Sequence, residues 1–359
     1  MRSLDRLPKA HLHLHLEGAM RPATLAELVG ERGERPPEAG GFTSFEDFGA
    51  LYGAAARVVR EGPRRNLLRL VREVVEDAAA DGAVWIEPHL NPLTYEGDPE
   101  AALDLLDEVI DEGRRTGARL GVGFGILVFA RRNADPSEAV KAARLAARRS
   151  DDGVVGFGLA GDEARQAPEP FAEAFAIARD AGLIPAPHAG ELAGPASVRA
   201  ALDVLGARRI AHGVRAIEDP ALLARLAAEA IVLDVCPTSN VALGVVASLS
   251  AHPLPRLLRV GVRCTLNADD PLLFGPGLLQ EYETARTVLA LTDAQLAAVA
   301  RTSLEASGAP RATVEDSVTR IGAWLHRPGN YTPAAYVKAG DRAVTDLSAR
   351  DHRLVFANW

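Results

Sequence analysis

Pro8-Lys9-Ala10-His11-Leu12-His13-Leu14-His15-Leu16-Glu17-Gly18, close to the N-terminus, decides how the rest of the chain is read. Its histidines alternate with apolar residues at period two, the repeat of a strand, so His11, His13 and His15 project from one face. Packing alone accounts poorly for three alternating imidazoles, because each would need its own buried hydrogen-bond partner. A metal accounts for them better. Neutral imidazole is a preferred zinc ligand, and a His-x-His pair on a strand presents two ring nitrogens to a single ion. The run is broken by leucines and flows into Leu16-Glu17-Gly18, which sets it apart from an engineered tag.

Further along, segments 83–90, 119–129, 154–160, 184–189, 209–214, 231–236 and 263–267 read as strands. Between most of them lie Ala-, Leu-, Arg- and Glu-rich segments of helical period, such as 101–116, 170–181, 196–205 and 220–228. Strand and helix alternate eight times, and the strands are largely continuous apolar runs, which predicts an α/β fold with a parallel sheet closed as a (β/α)8 TIM barrel. No Gly-x-Gly-x-x-Gly opens a helix after a strand, which removes a dinucleotide-binding sheet. A helical insertion, about 21–82, follows the first strand. It opens with a helix at 21–29 that has Pro22 in its first turn, passes through a Gly/Pro/Glu-rich surface loop to Gly41, and resumes with Phe45, Phe48, Leu51 and Tyr52 at helical spacing and a helix at 66–80. That insertion reads either as a lid or as a helix docked on the barrel. The expected organisation is one metal-binding barrel over 1–326 and a C-terminal extension, 327–359, with the barrel or a second copy of the chain as its place to pack, which leaves a homo-oligomer open.

A chain of 359 residues suits a single barrel of this class, which needs about 250 residues or more. Hydrophobic content of 48% with 25% charged residues describes a globular protein with a full core, and a net charge of -8 argues against nucleic acid and anionic membranes as partners. A neutral small molecule is the easier guest. Cys236 and Cys264 lie in apolar runs and are too few for a disulfide framework, so they read as core residues in a reducing compartment. No secretory leader pattern and no apolar span of about 18 residues stands out, and the expectation is a cytoplasmic protein.

In such barrels active sites lie at the C-terminal ends of the strands. Applied here, that rule brings His13 and His15 to the mouth and leaves His11 deeper. It adds Pro187-His188-Ala189-Gly190-Glu191, Ala211-His212-Gly213 and Leu266-Asn267-Ala268-Asp269-Asp270-Pro271. Three histidines and an aspartate make a catalytic zinc set when one position is left for water, whose pKa the ion lowers toward neutrality. Glu191, three residues after His188, is placed to act as general acid. Segment 154–160 contains no lysine of the kind that bridges two ions in two-metal barrel hydrolases, so one ion per chain is expected. Asp269-Asp270 also reads as a helix N-cap before Pro271. His252, His326 and His352 are expected to be solvated, and His89 to line the mouth without binding metal.

Together these motifs, with Gly158-Leu159-Ala160-Gly161-Asp162-Glu163 and Cys236-Pro237-Thr238-Ser239-Asn240, come in the order and spacing of one family. The chain resembles the adenosine deaminase family, within the amidohydrolase-type metal barrels. The resemblance implies Zn2+ held by His13, His15, His188 and Asp269, with His15 facing the substrate as well and Asp269 catalytic as well as ligating. It implies that His212 orients and helps activate the hydroxide, that Glu191 shuttles a proton to the purine N1, that Asp270 binds N7, and that the Gly161 N–H faces N3. Attack at C6 then releases ammonia and leaves inosine.

Two positions depart from the pattern. Adenosine deaminases mostly carry aspartate where Glu17 stands, facing the ribose 5′-hydroxyl, whereas adenine deaminases commonly carry glutamate; residues 158–163 resemble the adenosine enzymes more. Adenosine and 2′-deoxyadenosine are the expected substrates, with free adenine or a modified nucleoside such as aminodeoxyfutalosine as the alternative. At His11 an acidic residue is usual. Deaminases that act on bases in nucleic acid would show His-x-Glu with Pro-Cys-x-x-Cys, but Cys236 precedes Pro237 here and no second cysteine follows at that spacing. A non-catalytic relative would lack a ligand or the acid, and none is missing.

Overall fold

In the computed structural model, which describes residues 2–34 and 44–326, the histidine stretch forms β1 (Lys9–His15), buried along its whole length. The strands that follow are β2 (Ala83–Leu90), β3 (Gly123–Phe124), β4 (Ile126–Arg131), β5 (Val154–Ala160), β6 (Ile184–Ala189), β7 (Arg209–His212), β8 (Val232–Val235) and β9 (Arg263–Leu266). All pairings are parallel, and eight strands follow one another in the order β1-β2-β4-β5-β6-β7-β8-β9, with the two-residue β3 beside β2. Between them run helices that mostly match the expected segments, including Pro99–Leu120, Ala172–Asp180, Pro195–Asp203 and Pro220–Ala228. Asp98, Asp135 and Asp219 each cap a helix whose first turn carries proline, where a missing N–H costs little.

The third strand departs from expectation. Residues 119–120 end the helix Pro99–Leu120, which stops at Gly121 in the left-handed conformation (φ 74°), and Gly125 separates β3 from β4. A run of apolar residues with helical ends carries no periodicity that tells helix tail from strand start, and the glycines decide it.

Between β1 and β9 the ring is joined without a regular ladder. The Asn267 side-chain oxygen accepts the N–H groups of Leu12 (2.8 Å) and His13 (3.1 Å). One step on, Asp269 bridges to Leu14, its carbonyl accepting from His15 N–H and its own N–H donating to the His13 carbonyl. Asp269, whose carboxylate the resemblance makes a metal ligand, is thus also the closing stitch of the barrel. Below it, toward the strands' N-terminal ends, Arg209 donates to Asp234 and Glu87 and to the Leu12 carbonyl, while Trp85 and Thr265 satisfy the remaining carboxylate oxygens. A buried guanidinium is tolerable only when paired in this way.

Among the described residues, three α-helices lie between β1 and β2: α1 (Pro22–Glu31), α2 (Phe45–Arg60) and α3 (Arg64–Ala80). Ser44 caps α2, whose Ala55, Ala56, Val58 and Val59 are buried, and Phe48 stacks on Phe274 at 5.4 Å. The loop to Gly41 from residue 35, the 327–359 extension and His352 lie outside the described residues. Among the described residues, no helix is long and apolar enough to cross a membrane.

Candidate active site

His13 and His15 end β1, His188 lies near the end of β6, and Asp269 follows β9; their ligand atoms all lie within 4.8 Å of one another, and all four residues are buried. The local chemistry fits a cation. His13 Nδ1 lies 3.4 Å from the Asp234 carbonyl, to which only an N–H can donate, so Nε2 carries a lone pair. That nitrogen is buried, has no hydrogen-bond partner, and stands 3.2 Å from Asp269 Oδ1. Two lone pairs held so close repel unless a cation lies between them. Burial lowers the pKa of His15 to about 4 and that of His188 well below the usual value, so both rings are neutral and able to ligate. Burial works against the Asp269 anion, a cost that a cation held by these rings would offset. Three imidazoles and one carboxylate are a zinc-type donor set.

Around this corner stand the expected catalytic groups. His212 Nε2 is 3.3 Å from Glu191 Oε1 and 3.7 Å from Asp269 Oδ2. Both His212 (φ 63°) and Asp269 (φ 62°) are non-glycine residues in the left-handed region, a strain of about 1–3 kcal/mol each that tends to collect at functional sites. Burial, with the carboxylates of Asp269 and Glu163 nearby, raises the Glu191 pKa well above the usual value and so favours its acid form. Asp270 is raised likewise, by burial and by Asp269, and its Oδ1 has no partner. A side chain at Gly18 would place its first carbon 1.6 Å from that oxygen, so glycine there makes room for Asp270.

These groups open on a cavity of about 460 Å³ that His15, His188, Glu191, His212, Asp269 and Asp270 line at one end. Gly161, at φ 111° where other residues are strained, lines it too. Phe45, Phe48, Gly49 and Tyr52 of α2 form a wall, and Asn133, Arg165 and Gln166 stand farther out. Through Phe48, stacked on Phe274, α2 docks beside the mouth and bounds the cavity.

Glu17 differs from expectation. Its carboxylate accepts from Arg60 Nε and Nη2 (3.0 and 2.7 Å), Tyr52 (3.0 Å) and Tyr95 (2.9 Å), and Tyr52 and Arg60 rather than Glu17 line the cavity. The longer side chain reaches a buried cluster of donors instead of a ligand. His11, left without a role by the sequence, accepts the Ala268 N–H on Nε2 at 3.1 Å. A carboxylate could accept the same bond, which explains how histidine replaces an acid there.

Other residues of the site escape a sequence reading. Glu163 accepts from four consecutive backbone N–H groups, Gly190 to Ala193, and so holds the turn that carries Glu191. Arg132 donates to the His188 carbonyl, and Ser239 donates to Asp269 Oδ2 at 2.6 Å. His252 is buried rather than solvated, because the chain after the turn at Leu249–Ala251 folds inward to Asn240. His89 packs behind His13, rings 5.1 Å apart and nearly parallel, and does not line the cavity. His326 is exposed, as expected. The Gly158-Leu159-Ala160-Gly161-Asp162-Glu163 and Cys236-Pro237-Thr238-Ser239-Asn240 motifs contain Glu163, Ser239 and Asn240, but neither gives a contact.

A parallel barrel with this donor set at its C-terminal mouth defines a metal-dependent hydrolase of the amidohydrolase type. The family model described as adenosine deaminase matches residues 8–322, and the chain belongs to that family. A relative described as a putative adenosine/adenine deaminase, from Streptomyces coelicolor, is 45% identical over 90% of this chain and 98% of its own. An aminodeoxyfutalosine deaminase from Acidothermus cellulolyticus is 36% identical over 79% of this chain and 83% of its own. The solved structure of adenine deaminase from Arthrobacter aurescens superposes with a TM-score of 0.82 at 29% identity, covering 89% of this chain and 99% of that one.

Proposed function

We propose that the chain deaminates purine nucleosides by hydrolysis, converting adenosine or 2′-deoxyadenosine and water to inosine or 2′-deoxyinosine and ammonia. The observation that carries this reading is a pair of buried carboxyl side chains, Glu191 and Asp270, that line one cavity beside the metal donor set, where burial favours the acid form of each. A purine presents lone pairs at N1 and N7, and only a protonated acid can donate to such a lone pair. One zinc ion per chain, held by His13, His15, His188 and Asp269, would lower the pKa of a water molecule toward neutrality. Glu191 gives its proton to N1, where the product keeps it, as C6 becomes tetrahedral and loses its aromatic resistance to attack; of the two protons of the attacking water, one leaves with the amine as ammonia and the other restores the Glu191 acid. Asp270 donates to N7, the Gly161 N–H faces N3, and His212 orients the attacking oxygen. Phe45 and Phe48 limit the access of bulk water.

A purine base would occupy the inner end of the cavity, and the space out to Asn133 and Gln166 suits a sugar. A larger nucleoside such as aminodeoxyfutalosine would use the same space. Free adenine is the second reading, favoured by Glu17, whose carboxylate is held by Arg60 and the two tyrosines and is not available to a ribose hydroxyl. Purine salvage in the cytoplasm is the setting we propose, and the two buried, unpaired cysteines suit a reducing compartment. Ammonia release from adenosine, 2′-deoxyadenosine and adenine, measured in parallel on zinc-loaded protein, tests the substrate. A kcat/KM for the nucleosides above that for adenine is the expected result, and turnover of adenine alone would move the assignment to the base.

A further inference from the structure

We infer that His252 and Asn240 are positioning residues that hold His212 in the tautomer with its proton on Nε2, aimed at the reacting centre. The inference follows from one donor whose direction is unambiguous. The backbone N–H of Leu254 donates to His252 Nδ1 at 3.2 Å, so that nitrogen carries a lone pair and the ring proton sits on Nε2. His252 Nε2 faces Asn240 Oδ1 at 3.2 Å and donates to it. That contact orients the amide, whose Nδ2 then donates to His212 Nδ1 at 3.1 Å. With Nδ1 engaged as an acceptor, a neutral His212 keeps its proton on Nε2, which points to Glu191 Oε1 (3.3 Å) and Asp269 Oδ2 (3.7 Å).

All three side chains are buried, so water does not scramble the relay. Asn240 is fixed in turn by its place in the short helix Pro237–Ala242, its N–H bonded to the Cys236 carbonyl and its carbonyl accepting from Val246. His252 follows the Leu249–Ala251 turn, so a surface loop is tied by two side chains to the reacting centre. In this arrangement His212 orients the attacking oxygen by donating a hydrogen bond. A second proton would have to enter at Nδ1, where the Asn240 amide already donates. The role rests on the deaminase reading of His212, whereas the tautomer is a property of the resting protein.

The test is two-bond 1H–15N correlation NMR on zinc-loaded protein labelled at histidine, combined with kinetics of variants. For the unmodified protein we expect a protonated Nε2 and an unprotonated, hydrogen-bonded Nδ1 at both His212 and His252. A proton on His212 Nδ1 would overturn the inference, whatever the variants do. Asn240→Asp keeps the shape but offers only acceptors, so it should draw the proton to His212 Nδ1. We expect kcat to fall about 10²–10⁴-fold, as when a catalytic histidine is held in the wrong tautomer, with KM and zinc content little changed. His252→Gln retains both a donor and an acceptor and should remain within about threefold of the unmodified enzyme, whereas His252→Leu should lose at least tenfold in kcat. Unchanged kcat in His252→Leu, or equal losses in the Gln and Leu variants, would overturn the positioning role. If the unmodified enzyme released no ammonia from any aminopurine, the deaminase reading would fail while the tautomer result stood.

Discussion

At Glu191, burial and the carboxylates of Asp269 and Glu163 raise the pKa well above that of an exposed glutamate, which favours the acid form. The amide of Glu191→Gln fills the same space but cannot pass a proton on. Its kcat should fall about 10²–10⁴-fold with zinc content unchanged, and normal turnover by that variant would remove Glu191 from the role of acid. Glu281 is a different case. It lies on the helix Leu278–Thr287, one oxygen accepting from Thr238 N–H and the other without a partner, and burial raises its pKa to about 8. An exposed glutamate ionises near 4.5, so between these values the folded protein holds a proton that the unfolded chain releases. Stability should therefore fall as pH rises through that window and level off above it. In Glu281→Gln this slope should vanish, so that its melting temperature gains on that of the unmodified protein from pH 5 to pH 8. Parallel curves would show that Glu281 is ionised throughout. At this scale the sequence exposed the donors, because alternation in β1 and position at strand ends are local patterns. His252 and Glu163 stayed hidden, because their partners, Asn240 and the 190–193 turn, are brought to them only by the folded chain.

Helix α2 is tied to the barrel by a buried ion pair as well as by apolar packing. Burial would lift the Glu17 carboxyl, but Arg60 beside it, helped by Tyr95, holds it below the usual range. Arg60→Met would leave that carboxylate buried without its cation, a change that typically costs about 3–5 kcal/mol. The two tyrosine hydroxyls remain, so a loss of about 3 kcal/mol in urea unfolding is expected, and the double variant with Glu17→Gln should recover most of it. A loss below about 1 kcal/mol would mean that the pair behaves like one at the surface. The strands of the barrel were legible to within a few residues, since continuous apolar runs between helical segments have few other readings. The exception was the third strand, where the boundary depended on Gly121 and Gly125 rather than on hydrophobic pattern. The partner of Glu17 was not legible, because Arg60 is 43 residues away and meets it only when α2 lies across the mouth.

For the molecule as a whole, closing the barrel and assembling the site are one event. Asn267 and Asp269 join β9 to β1 through the backbone of the very stretch that carries His13 and His15. The order of elements in the sequence already implied a closed parallel barrel, and eight strands do follow one another around it. How the ring is sealed was not implied, since a side-chain oxygen replaces part of a ladder there. We propose that this seam and β6 present a single metal site that supports hydrolytic deamination of an aminopurine. Ammonia release from adenosine, followed while zinc is returned stepwise to metal-depleted protein, tests it most directly. The account requires activity to be absent without metal, to rise linearly, and to break at one zinc per chain. Full activity without metal, or a break at two, would contradict it.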